Sequence, residues 1–234
     1  MGLQEHYAKY VTTGGDGDDV LKGRAAELGY SQDFFPSDVY QAQLFRASCG
    51  SGCPLRLSVG MPTVNDHLVV DLGCGAGHDA ILASRLMKSY ITSNNSSNQE
   101  KDDSVSPTST SSSSVSITTE KKVIGLDFTN EMVAAAQKNL EKYPDLVPLV
   151  EFMQADFTDP DAAFLSKLEG RVDLILSNAV LNLCKDKQKA FQVAFRLLRP
   201  GGRFVFSDVM KLEGDDVNPT AAITTSTNGN VFST

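Results

Sequence analysis

Gly73, Gly75 and Gly77 stand between two acids in the stretch Val69-Val70-Asp71-Leu72-Gly73-Cys74-Gly75-Ala76-Gly77-His78-Asp79. Glycines at this spacing allow positive φ and let a ligand come close to the backbone. An apolar strand over His67 to Leu72, a glycine turn and a helix opening at Asp79 together form a cradle for a nucleotide. The spacing is Gly-x-Gly-x-Gly, whereas the dinucleotide fingerprint is Gly-x-Gly-x-x-Gly, with free amides facing a pyrophosphate. Here His78 and Asp79 occupy the place of the third glycine and the phosphate. An acid in the first helical turn disfavours a diphosphate and tolerates a cation.

Three further polar residues fall where apolar runs end. Asp127 closes Lys122-Val123-Ile124-Gly125-Leu126-Asp127, at the place where a carboxylate accepts ribose hydroxyls, or else it caps the helix expected from Thr129 to Lys142. Asp156 follows the alternating run from Val150, and as a bare residue it reads equally well as a turn acid. Asn178 closes Val172 to Asn178. Thiols form the other chemistry: Cys49 and Cys53 share the loop Cys49-Gly50-Ser51-Gly52-Cys53-Pro54. That loop is either a turn of small residues or a soft-ligand pair converging on a thiophilic atom. No histidine or second cysteine pair stands at zinc spacing, so no metal site is expected. Cys74, inside the glycine turn, reads as packing.

These residues need a scaffold, and the apolar periodicity supplies one. Strands at 67–72, 122–127, 150–157, 172–178 and 203–209 alternate with helices opening at Asp79, Thr129 and Asp186, the last closed by Pro200-Gly201-Gly202. Alternation of this kind requires parallel pairing, so the expected fold is α/β, a doubly wound and mainly parallel sheet with ligands at the carboxyl ends of its strands. Asp71, Asp127, Asp156 and Asn178 all lie at such ends. Residues 1–60 read as an N-terminal helical arm or lid and 61–211 as the core. The core is interrupted at 89–120 by a Ser/Thr-rich insertion too polar to offset its ordering entropy. Residues 212–234 read as a flexible tail. An antiparallel hairpin after the fifth strand is not expected from that tail, which leaves Phe204 to Phe206 as an exposed edge.

Composition narrows the partners. The chain has 234 residues, 41% hydrophobic, with a formal net charge of −8. The acidic balance disfavours nucleic acid and anionic membrane, and favours a small-molecule substrate. No apolar run approaches a membrane span, the start lacks a signal-peptide pattern, and the four cysteines are irregularly spaced. The expected location is therefore cytoplasmic, with free thiols.

The glycine motif, Gly125-Leu126-Asp127, Ala155-Asp156-Phe157 and Leu197-Leu198-Arg199-Pro200-Gly201-Gly202 together resemble class I S-adenosylmethionine-dependent methyltransferases over residues 67–209. A narrower likeness, in Leu176-Ser177-Asn178-Ala179-Val180-Leu181-Asn182-Leu183 and Phe206-Ser207-Asp208-Val209, is to the arsenite methyltransferase family. The resemblance implies S-adenosylmethionine as cofactor. Asp71, Gly73, Gly75 and Gly77 would face its methionine part, Asp127 and Phe128 its ribose, and Asp156 and Phe157 its adenine, while Asn178 would hold its amino group. It also implies methyl transfer to trivalent arsenic held by thiolates, with a thiol reductant. Where the family motif places a substrate cysteine this chain has Ala179, which cannot ligate arsenic, so Cys49, Cys53 and Cys184 are the candidate thiols. A small organic O, N or C nucleophile as acceptor, or a non-catalytic cofactor-binding protein, are the competing expectations.

Overall fold

A computed structural model describes residues 2, 5–6, 8–9, 51–56, 58–96, 121–209 and 232–233. Cys49 and most of the expected arm, insertion and tail lie outside the described residues.

Five parallel strands form the sheet's main body: β1 (Leu68–Leu72), β2 (Lys122–Asp127), β3 (Val150–Gln154), β4 (Val172–Asn178) and β5 (Leu198–Ser207). A short sixth strand, β6 (Phe232–Ser233), pairs antiparallel with β5, and the spatial order is β3-β2-β1-β4-β5-β6. The sheet is the doubly wound, Rossmann-like arrangement expected from the alternating pattern, and its chain order reverses between β1 and β4. Ligands bind outside the strand ends at such a reversal.

Alternate residues of the strands feed two cores. Val69, Val123, Val150, Leu174, Leu176 and Val205 pack under α1 (His78–Ser96) and α2 (Asn130–Leu140). Val70, Leu72, Ile124, Ile175 and Phe204 pack under α3 (Leu165–Leu168) and α4 (Lys187–Leu197) on the opposite side. Both faces are covered, which is why β1 and β4 read as continuous apolar runs rather than alternating ones.

The structure corrects three boundaries. α1 continues past Ser89 to Ser96, because a helix anchored by a buried first half adds one hydrogen bond per further residue at little cost. α4 stops at Leu197, and Pro200-Gly201-Gly202 lies inside β5, where the register against β4 shifts after Val172 and Gly201 takes φ +75°. The β5 edge is not left bare: Arg203 pairs with Ser233 and Phe204 with Phe232, so the chain after residue 211 does supply an antiparallel strand. No helix of the described residues is long and apolar enough to cross a membrane.

Candidate functional site

The glycine turn after β1 is pinned from several directions. The amides of Gly73 and Cys74 both donate to the Leu126 carbonyl, at 2.8 and 2.9 Å, and Gly77 N donates to Cys74 O at 2.8 Å. The buried Asn139 side chain on α2 donates to Ala76 O at 3.0 Å. Two of the three glycines are required by their neighbours: a Cβ on Gly73 would lie 2.3 Å from Val180, and one on Gly77 would lie 2.6 Å from Phe152. Gly75, at φ +51°, has no atom of the other described residues, its chain neighbours aside, within 4 Å of its Cβ direction. Its missing side chain leaves open space where a ligand would approach the backbone.

Asp127, the last residue of β2, faces that turn. Its Oδ2 accepts from Gly75 N at 2.9 Å and its Oδ1 from Thr129 N at 2.9 Å. The helix-capping reading and the ligand reading therefore share one carboxylate. Two backbone bonds use half of its acceptor capacity, and the rest suits a pair of vicinal hydroxyls. Burial pushes the Asp127 carboxyl up, and the Thr129 and Gly75 amides offset only part of that.

Asp71 lies deeper, in the middle of the sheet between Gly125 and Leu176. It is 2% exposed. It accepts a backbone hydrogen bond from Ala80, while its Oδ2 is buried without a hydrogen-bond partner among the described residues. Burial, then the negative charges of Asp79 and Asp127, hold its carboxyl well above the usual range. A buried carboxylate oxygen lacking a donor, beside two more acids, is a place for a cation.

Asn178 closes β4 and joins two segments that are distant in sequence. Its Oδ1 accepts from Ser51 N at 2.9 Å, and its Nδ2 donates to Asp79 Oδ2 at 3.0 Å. The side-chain oxygen of Asn178, the residue that the resemblance assigns to an amino group, is therefore engaged with the loop before the core. Asp79, read in the sequence as the cation-tolerant acid that opens the helix, is thereby joined to the cradle, while Ser51 carries no signal in the sequence that would have pointed to it. Ala179 follows at φ +57°, a left-handed conformation unusual for alanine, with its amide on Ser207 O at 2.8 Å.

Asp156 lies two residues beyond β3. It is exposed, and its Oδ1 accepts from the amide and hydroxyl of Thr158 at 2.8 and 2.6 Å, which is the turn-acid arrangement. Phe157 is buried in the core with Phe164 and Leu165. Phe128 is half-buried at the start of the β2–α2 connection.

Of the described candidate thiols, Cys53 is buried in the core cluster under α1 and α2, and Cys184 packs against the cluster under α3 and α4. Burial pushes the Cys184 thiol up; Lys187 opposes this, and Asp156 and Asp208 add to it. Cys74 is likewise pushed well up by burial and by the charges of Asp71 and Asp127, which suits packing rather than ligation.

Comparison with known proteins bears on this geometry. Residues 109–230 match the family model described as a methyltransferase domain. The chain belongs to that methyltransferase domain family. An arsenite methyltransferase of Halobacterium salinarum is 28% identical over 89% of this chain and 46% of its own length. The arsenite methyltransferase of Homo sapiens is 29% identical over 62% of this chain and 32% of its own. A crystal structure of an arsenic (III) S-adenosylmethionine methyltransferase from Chlamydomonas reinhardtii is 25% identical. It covers 65% of this chain and 42% of that one, at a TM-score of 0.44. The methyltransferase domain described here thus spans less than half the length of the curated relatives it matches.

Proposed function

We propose that this domain binds S-adenosylmethionine and directs its methyl group to a small-molecule acceptor, with trivalent arsenic as the first acceptor to test. The observation that carries the reading is the cradle itself: Gly75 open toward the ligand side, Asp127 bonded to its amide, and Asp71 with a buried oxygen lacking a donor. Asp127, beside Phe128, would accept the ribose hydroxyls through its remaining lone pairs. Asp71 and the Gly73–Gly77 turn would line the cationic methionine part. The adenine edge falls to the exposed Asp156, since the Phe157 ring is committed to the core.

The cofactor brings a methyl group on a positively charged sulfur, ready to be taken by a lone pair. The domain's part is to orient it and exclude water, and an arsenic lone pair asks for no general base. The named activity of the 28% identical relative supports arsenic as the acceptor. Ala179, where the resembled family places a substrate cysteine, together with the packing of Cys53 and Cys184 into different core clusters, favours a second reading in which the acceptor is a small organic nucleophile.

The test is product mass after incubation with labelled cofactor and either arsenite plus a thiol or a panel of organic acceptors. Methylated arsenic supports the first reading, and a methylated organic product replaces it with the second. Demethylated cofactor formed from neither contradicts both.

A further inference from the structure

Asp71, Asp79 and Asp127 are 2%, 3% and 6% exposed and converge from β1, the start of α1 and the end of β2. Asp71 is buried and feels the negative charges of both Asp79 and Asp127, and each of these raises the cost of ionising it. The donors of the three acids are unequally shared. Asp127 accepts two backbone N–H groups, from Gly75 and Thr129. Asp79 stands in the first turn of α1, where a negative charge is favoured, and accepts from the Asn178 amide with His78 Nε2 at 3.7 Å. Asp71 accepts one N–H, from Ala80, and its Oδ2 has none among the described residues. The other titratable group against it is the neutral Cys74 thiol of the glycine turn. Among the described residues no three His, Cys, Asp or Glu side chains group as ligands for a metal ion.

Resting on the cofactor reading above, we propose that Asp71, with its buried donor-lacking Oδ2, is protonated while the cradle is empty and releases that proton when the ammonium group of the cofactor's methionine part enters. The Asp71 O–H bond breaks, the proton passes through water to the buffer, and the carboxylate left behind pairs with the arriving ammonium. Beside Asp71 the ammonium's positive charge takes the place of the departed proton's. Affinity for any ligand carrying that ammonium then rises with pH across the acid side of neutrality. A ligand lacking it binds without this dependence.

The test is calorimetric titration in buffers of different ionisation enthalpy, slightly below neutral pH, with three ligands. S-adenosylmethionine and S-adenosylhomocysteine carry the ammonium, and methylthioadenosine does not. About one proton released for each of the first two and none for the third is the expected result. Asp71→Asn abolishes the release. Independently of that variant's folding, the wild-type affinity for S-adenosylhomocysteine falls about tenfold per pH unit on the acid side. Saturable binding with buffer-independent heat and a flat pH profile overturns the proposal and leaves the cofactor reading standing. Release that persists in a folded Asp71→Asn variant also overturns it. No binding of any of the three by folded wild-type protein overturns both.

Discussion

The two ends of the central strands both bury acids, but they treat them differently. At the amino ends, Asp66 Oδ2 receives the Arg203 guanidinium and the Thr63 amide, and Lys121 donates to the carbonyls of Val64 and Asp66 at 2.8 and 2.6 Å. Asp173 receives Arg199 on one oxygen and the amides of His67 and Leu68, each at 2.8 Å, on the other. At the carboxyl ends, Asp71 faces two more acids and keeps an oxygen with no donor among the described residues. The first arrangement closes the sheet and fixes the start of β1. The second leaves an electrostatic demand that a cationic ligand would satisfy, at some cost to the stability of the ligand-free fold.

Substitutions at each end should separate these roles. The largest effect is expected from Gly75→Ala. Its Cβ meets no atom of the other described residues, its chain neighbours aside, so stability falls only by the ~1 kcal/mol of a left-handed alanine. The new methyl group fills the ligand's space, and cofactor affinity drops by about 100-fold or more, ~3 kcal/mol, read by titration beside a melting curve. Arg199→Met strips Asp173 of its cation. Because Arg199 is 40% exposed, the loss is discounted from that of a fully buried pair to ~2 kcal/mol of unfolding free energy. Cofactor affinity should not change. Asp71→Asn should act in the opposite sense, raising the melting temperature of ligand-free protein by a few degrees, ~1 kcal/mol, while weakening ligand binding.

A smaller effect, in pH dependence, sharpens the same contrast. At Asp173 burial pushes the carboxyl up, but Arg199 and the two amides outweigh it and hold it below the usual range. Its stabilisation is therefore present at neutral pH and lost as pH falls through the folded value. At Asp71 the folded value is raised, so its contribution is complete below the unfolded carboxylate range and is lost as pH rises through the folded value. Acid titration of stability should show Arg199→Met flattening the acid limb and Asp71→Asn flattening the limb toward neutrality.

The amino acid sequence made the strands and both key acids legible for one reason. A strand buried on both faces is a plain apolar run, and Asp71 and Asp127 interrupt β1 and β2 at their carboxyl ends. What it could not carry was direction across the sheet. Cys53 and Cys184 are candidate thiols because Ala179 stands where the resembled family has a cysteine, and they pack into different core clusters, which no local pattern specifies. Phe157 is assigned to the adenine by resemblance, and its ring is buried with Phe164 and Leu165. The link from Ser51 through Asn178 to Asp79 joins positions too far apart in the chain for any local pattern to reveal.

The most direct test of the cradle is titration of S-adenosylmethionine into the full chain, with Asp127→Ala as the paired variant and a melting curve for each. Saturable binding to the wild type, lost in a variant that still melts cooperatively, is the expected result. Equal binding in both, or none to a folded wild type, would contradict the assignment of the Gly75–Asp127 turn as the cofactor site.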